Sequence, residues 1–236
     1  IRKREELKKI PQKVLIKSGY FYFDYLKDRI KKKVDPHEIL IAPSWNYNKK
    51  NFFNESLDEI IQAVLSKDYN VNFRPHPESF KRSMSTIENF KKKFSYKKFI
   101  IDETIENLES MENAKCLITD NSGIAIEFLL LFKKPVLYFE GENVDKIHNS
   151  EFYKYKDLNT MDQKVKNTFG YTFKKDDIRY LDQLIEKSIF EFKNKDYEIK
   201  NFINDNFYNF GNTIINLDDL ISKWFLKWCI ISKWKL

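Results

Sequence analysis

Short apolar, β-rich runs alternate along this chain with longer amphipathic stretches, and that alternation constrains the fold more than any other feature. The runs fall at residues 14–17, 39–42, 71–73, 99–101, 117–119 and 136–139. Helical patterns lie between them, at 22–33, 57–66, 83–94, 105–112 and 124–132. The clearest sets Leu57, Ile60, Ile61, Val64 and Leu65 on one stripe. Strand and helix in strict turn predict βαβ units and a parallel sheet buried on both faces. Beyond Glu140 the pattern breaks: residues 141–175 are polar, aromatic and strand-poor, and read as an irregular excursion. Helices resume near 176–192, 197–206 and 217–234. The expected organisation is a lead-in over 1–12, one doubly wound α/β domain over 13–206 and a helical extension over 207–236.

Composition excludes several classes. Of 236 residues 42% are hydrophobic and 16% aromatic, enough for a packed core, while 5 Gly and 6 Pro exclude collagen-like and low-complexity chains. Two cysteines, Cys116 and Cys229, exclude a disulfide scaffold, fit a reducing compartment and read as small buried hydrophobes. With three histidines they are too few for a Cys/His zinc site, so no metal is expected. No run approaches the roughly 20 apolar residues of a spanning helix. The 42 Lys+Arg against 35 Asp+Glu leave a net +7. The excess is scattered, as at Lys31–Lys33, Lys91–Lys93 and Lys133-Lys134, without a nucleic-acid-binding signature, so solvated faces are expected and nucleic acid is not a partner.

In a doubly wound sheet, ligands sit outside the carboxyl ends of the strands. Three such ends carry polar residues. The first is Ala42-Pro43-Ser44-Trp45-Asn46, with a hydroxyl and an aromatic face. The second is Arg74-Pro75-His76-Pro77, where two prolines hold a cation and an imidazole in extended geometry. Arg is suited to bidentate phosphate binding. The third is Asp120-Asn121-Ser122-Gly123, followed by Glu127, where a strand turns directly into a helix. The free N–H groups and macrodipole of a helix start favour an anion, and Gly123 admits a close approach. Glu127 lies one turn further on, in an otherwise apolar helix. Burying it without partners would be expensive, which points to a ribose-binding role. His37 and His148 receive no role.

The ordered set resembles the C-terminal, donor-binding half of the CDP-glycerol glycerophosphotransferase (teichoic acid polymerase-like) family, whose fold is GT-B. Gly19-Tyr20 with Asp24 is similar to its "GYP-x-x-D", and Ile39–Trp45 to its "ILYAPTW". Arg74-Pro75-His76-Pro77 resembles "R-x-H-P", and Thr119–Gly123 with Lys134-Pro135 resembles "TDYSS…KP". Asn209-Phe210-Gly211 is a weaker match to its closing turn. Asn121-Ser122-Gly123 stands where the family has Tyr-Ser-Ser. With Glu127, the block is equally similar to the Ser-Gly…Glu block of UDP-N-acetylglucosamine 2-epimerases.

The resemblance implies a Rossmann-like domain that binds CDP-glycerol or another nucleotide-activated donor, with no cofactor. Glycerol phosphate would pass to a polymer or lipid-linked acceptor, with CMP released. It implies catalytic roles for His76 and Arg74 in stabilising charge on the diphosphate. Ser122 and Gly123 would hold a phosphate beside Asp120 and Asn121, Glu127 the ribose, and Ser44 and Trp45 the base side. The family's acceptor half, an N-terminal GT-B domain bearing a catalytic histidine, has no counterpart in this chain, which opens on Ile1 and is expected to be part of a longer protein.

A capsule or lipooligosaccharide glycosyltransferase using a nucleotide-sugar would share these donor contacts. A non-catalytic membrane-docking domain is the third reading. At the C-terminus Leu217, Leu220, Ile221, Trp224, Trp228 and Ile231 share a helical stripe, with Lys223, Lys227, Lys233 and Lys235 nearby. That mix fits either an interfacial helix on an anionic membrane or a helix packed on a neighbouring domain. The expected location is cytoplasmic, with peripheral contact to the inner membrane face.

Overall fold

A computed structural model describes residues 2–15, 17–30, 36–45, 56–95, 98–141, 160–213 and 221–223. The chain divides into two compact units, one of residues 29–200 and one of residues 1–28 with 201–236.

The larger unit is built on β1 (Glu38–Ile41), β2 (Asn70–Phe73), β3 (Phe99–Ile101), β4 (Ala114–Thr119), β5 (Val136–Phe139) and β6 (Tyr171–Phe173). They form one sheet in the order β3-β2-β1-β4-β5-β6, every neighbouring pair parallel. Helices make the connections, as parallel pairing requires. Those of the smaller unit, α1 (Arg2–Lys8) and α2 (Phe21–Lys27), precede α3 (Leu57–Leu65), α4 (Pro77–Arg82), α5 (Met84–Lys93), α6 (Leu108–Asn113), α7 (Ile124–Phe132), α8 (Met161–Phe169), α9 (Leu181–Phe192) and α10 (Asp196–Asn206). A 3₁₀ turn, Lys175–Tyr180, leads into α9. This is the expected Rossmann-like architecture.

Alternation along the strands explains the two helical layers. Ile39 and Ile41, Val71 and Phe73, Cys116 and Ile118, and Leu137 and Phe139 belong to one core with Leu57, Ile60, Ile61 and Val64 of α3 and Leu181 and Ile185 of α9. Residues one step out of phase, Leu40, Leu117 and Tyr138, point the other way. They are buried too, on the side where α6 and α7 pack on β4. Both faces are thus covered, and β1 and β5 are buried at every position.

Local signals set the boundaries. Pro77 occupies the first turn of α4, where its missing N–H costs nothing, so the second proline of the Pro-His-Pro run opens a helix rather than extending a loop. His76 before it is extended, with φ −60° and ψ 143°. Thr160 and Gln163 form a reciprocal capping box that starts α8. With β6, this helix gives regular structure to part of the stretch read from sequence as irregular. The run at 14–17 forms no strand in its described residues 14, 15 and 17: Val14 is 74% exposed, and no neighbouring strand pairs with it. The helix expected over 22–33 ends at Lys27.

In the smaller unit Phe23 packs on Phe207 and Phe210, with ring centroids 5.7 and 5.1 Å away. Asp24 accepts the backbone N–H of Thr213 at 2.6 Å, and Asn209 donates to the carbonyl of Lys17 at 2.9 Å. Gly19 has φ +108°, and a Cβ there would lie 2.7 Å from the Tyr208 carbonyl, so glycine is required. The motif residues near 19–24 and 209–211, far apart in sequence, therefore meet.

The expected C-terminal membrane helix, Cys229 and His148 lie outside the described residues, except that 221–223 are helical. Among the described residues no helix is long and apolar enough to cross a membrane.

Phe73 is fully buried and contacts the rings of Phe90 and Phe99 at 5.8 and 6.1 Å. Phe73→Ala should lower the unfolding free energy by about 3–5 kcal/mol in denaturant titration. A loss under about 1 kcal/mol would mean the site collapses freely.

Candidate functional site

The sheet order places a crevice between β1 and β4. From β1 the chain moves outward to β2 and β3, then returns to the other side of β1 to form β4. The loops leaving the carboxyl ends of β1 and β4 therefore part company, and a ligand can enter between them. The three polar clusters of the sequence follow such strand ends: Ser44-Trp45 after β1, Arg74 to His76 after β2, and Asp120 to Gly123 after β4.

The floor of the crevice is cross-linked. Ala42 donates its N–H to the Ile118 carbonyl at 3.0 Å, and Thr119 Oγ1 donates to the Ala42 carbonyl at 2.6 Å. One residue further, the Asp120 carboxylate accepts both the backbone N–H of Ser44 (2.8 Å) and its hydroxyl (2.6 Å). Ser44 and Asp120 are thus one unit that pins two strand ends, and their first task is to fix the width of the opening.

Above this floor stands the start of α7. Gly123 is its N-cap, with φ −59° and ψ −24°, and no side chain caps the helix. An α-helix leaves its first N–H groups without intrahelical partners, so this end carries an exposed positive pole. Gly123 does not owe its identity to backbone strain. A Cβ there would meet nothing within 4 Å, so the space before the helix is open. Ser122 flanks it, half-buried, and Asn121 is exposed. Glu127 is one turn on, and its Oε2 accepts from Asn107 Nδ2 at 3.0 Å. Burial pushes its carboxyl above the usual range, against the opposing effect of the Asn107 bond.

The β2 loop contributes His76 and, differently than expected, Arg74. His76 Nδ1 accepts the Glu78 N–H at 3.2 Å, which puts the ring proton on Nε2. Burial lowers its pKa against the opposing charge of Glu78, which favours the neutral imidazole. Its ring lies 6.3 Å from that of Trp45 at 25°, and the Arg82 guanidinium is 5.4 Å from the Trp45 ring. Trp45 therefore stands beside His76 as well as at the mouth of the crevice. Arg74 turns its guanidinium to the loop after β3, where it pairs with Asp102 and donates to Thr104 Oγ1 (3.2 Å). The reason is local: β2 and β3 are neighbours, so Arg74 and Asp102 leave their strands side by side. Sequence reasoning passed over Asp102, Asn107 and Ser110 because nothing in their own neighbourhood marks them.

A separate groove of about 570 Å³ is lined by residues including Glu59, Lys67, Lys175, Arg179 and Asp182. Two of its cations are already paired, Lys67 with Asp182 at 2.8 Å and Lys175 with Glu59 at 3.2 Å. The start of α9 beside it also has no side-chain cap, but its first turn carries Asp182, whose charge opposes an anion, so the crevice at β1 and β4 is the better anion site.

The chain is similar to known proteins in sequence and in fold. The family described as CDP-Glycerol:Poly(glycerophosphate) glycerophosphotransferase matches residues 13–202. Among solved structures, UDP-GlcNAc 2-epimerase of Methanocaldococcus jannaschii is similar over 94% of this chain and 58% of its own, with 18% identity and TM-score 0.53. The wall teichoic acid polymerase TagF is similar over 88% of this chain and 48% of its own, with 21% identity and TM-score 0.47. TarM covers 83% and 36%, with 15% identity and TM-score 0.44. The chain thus spans about half the length of the TagF structure it matches. No curated protein sequence matches. With four-fifths of its length matched by one family, the chain belongs to the CDP-glycerol:poly(glycerophosphate) glycerophosphotransferase family.

Proposed function

We propose that residues 29–200 bind the nucleotide-activated donor of a glycerophosphotransferase, with CDP-glycerol as donor. The observation that carries this reading is the uncapped start of α7 facing open space at the strand-order reversal, one helical turn from a half-buried Glu127. The diphosphate sits against the N–H groups of Ser122, Gly123 and the first turn of α7, as anions do at helix starts. Glu127 accepts from the ribose hydroxyls, and Trp45 and the Ser44–Asp120 unit border the base. Neutral His76, with its proton on Nε2, donates to a phosphate oxygen.

In the reaction an acceptor hydroxyl attacks the phosphorus that carries glycerol. The bond to CMP breaks, CMP leaves with the bridging oxygen, and a phosphodiester remains. Donors already aimed at the diphosphate stabilise the charge that develops on the leaving group. The residues named here grip the donor, and we assign deprotonation of the acceptor to a group outside this crevice. A polymer or lipid-linked acceptor and peripheral contact with an anionic membrane through residues 217–236 complete the reading. A nucleotide-sugar donor is the second reading, favoured by the Glu127 block, because grip on phosphate and ribose does not distinguish glycerol from sugar.

Gly123→Ala separates binding from folding. The added methyl meets nothing and the backbone is already helical, while Ala is a poorer N-cap than Gly, so the opposing effects should leave stability within about 1 kcal/mol of the parent. Calorimetry should nonetheless show CDP bound at least tenfold more weakly, with cytidine affected less. Equal affinity for CDP in both proteins would remove the phosphate from this helix.

Glu127→Gln tests the ribose site through pH. A carboxyl whose pKa rises on folding holds its proton more tightly when folded, so its ionisation costs stability. The cost is absent below the usual carboxylate range and complete above the raised value. At pH 7 the Gln variant should therefore melt higher than the parent, with the gap closing as the buffer is taken towards pH 4. Its affinity for cytidine should fall about tenfold, the effect of one lost charged hydrogen bond. A variant that melts lower at pH 7 would contradict the burial argument.

His76 should titrate below 6.5 and show the Nε2-protonated tautomer in ¹⁵N NMR at pH 7. An Nδ1-protonated ring would reverse its assigned role.

A further inference from the structure

Arg74 has more partners within its own chain than a phosphate clamp would keep. Phe73 at the end of β2 is in register with Ile101 at the end of β3, so the two loops leave together. Arg74 Nη1 donates to Asp102 Oδ2 and to Thr104 Oγ1, and Nη2 donates to the carbonyls of Thr104 (3.0 Å) and Ile105 (3.1 Å). Asp102 is held from the other side by the Ser110 hydroxyl on α6 and by the Thr104 N–H at 2.8 Å. The Arg74 and Asp102 side chains are only 13% and 7% exposed. Burial alone would raise the Asp102 carboxyl, but the bonds from Ser110 and Thr104 and the charge of Arg74 outweigh it and hold it below the usual range. Two residues after Ile105 comes Asn107, at the N-cap position of α6, whose side chain makes no capping bond and instead donates to Glu127.

We propose that Arg74 is a positioning residue: its guanidinium fastens the loop 102–105, so that Asn107 holds the Glu127 carboxylate in place on α7. The fork geometry matters because one planar group satisfies a carboxylate, a hydroxyl and two carbonyls along a single turn of chain, which an ammonium cannot copy. The ligand of Glu127 rests on the donor-binding reading above, whereas the clamp itself does not.

The test has an arm that needs no ligand. Side-chain ¹³C NMR of Glu127 in the full chain should show its titration moving upward in Asn107→Ala, because a bond favouring the charged form is lost. Arg74→Lys should move it the same way, as should Asp102→Asn, which keeps the shape of the loop if the Arg74 variant folds poorly. A Glu127 titration that Asn107→Ala shifts but both clamp variants leave alone overturns the proposal.

The second arm is calorimetry with cytidine and CDP. Arg74→Lys should weaken both by the same factor, about tenfold, and the loss should vanish when Glu127→Gln is already present. A loss confined to CDP, persisting beside Glu127→Gln, would make Arg74 a direct phosphate ligand and overturn the proposal. If the parent chain binds neither compound, the donor-binding reading fails, and the titration arm still decides the clamp.

Discussion

A parallel sheet that reverses its strand order must leave a gap at the reversal, and the candidate site of this protein follows from that constraint. β1 is paired with β2 on one side and β4 on the other, and the loops beyond these strands diverge. The gap is held to a fixed width by one carboxylate: Asp120 takes both the N–H and the hydroxyl of Ser44. A short polar bridge of this kind positions the neighbouring segments, the uncapped start of α7 on one side and Trp45 on the other. Charge-assisted bonds are among the stronger ones available for the purpose.

Around this gap two features cost stability, the first of them shared with the starts of α2, α3, α5, α6 and α9, which also have no side-chain cap. A helix start without a side-chain cap forgoes roughly 1 kcal/mol that Ser or Asp at the cap position would supply. Glu127 is kept in a half-buried place that raises its pKa, and Asn107 offsets only part of the cost. By contrast, Lys134 shows a conflict resolved within the fold. It is partly buried and its pKa is pushed down to about 8, yet it donates to the carbonyls of Met111 and Glu112 at the end of α6. Departures that the fold leaves uncompensated are expected where a ligand completes the structure.

Much of this was legible in the sequence, for physical reasons. Strand β5 is a continuous apolar run, and β1 and β4 nearly so, because helices cover both faces. Strand β2 instead alternates Asn70, Val71, Asn72 and Phe73, its buried Asn72 donating to Glu38. Helix α3 carries its apolar residues at helical spacing, and α7 is apolar at every position but Glu127. The run at 14–17 misled because apolar character without a sheet neighbour makes no strand, and Val14 stays exposed. β6 was hidden by its brevity: of Tyr171–Phe173 only Phe173 is buried. At the site, local sequence revealed the residues after each strand but not their partners. Arg74 in a Pro-flanked loop reads as an anion binder until Asp102, 28 positions away, is seen beside it. Glu127 was conspicuous as a lone acid in an apolar helix, whereas Asn107 was one asparagine among many.

The central claim is that a nucleotide diphosphate settles on the first turn of α7. Amide NMR of the 236-residue chain titrated with CDP addresses it most directly, because each backbone N–H reports for itself. The account predicts the largest shifts at Ser122, Gly123 and Ile124, with smaller ones at Trp45 and Glu127. Shifts confined to the groove of Lys67, Lys175 and Arg179, with the start of α7 unmoved, would contradict it.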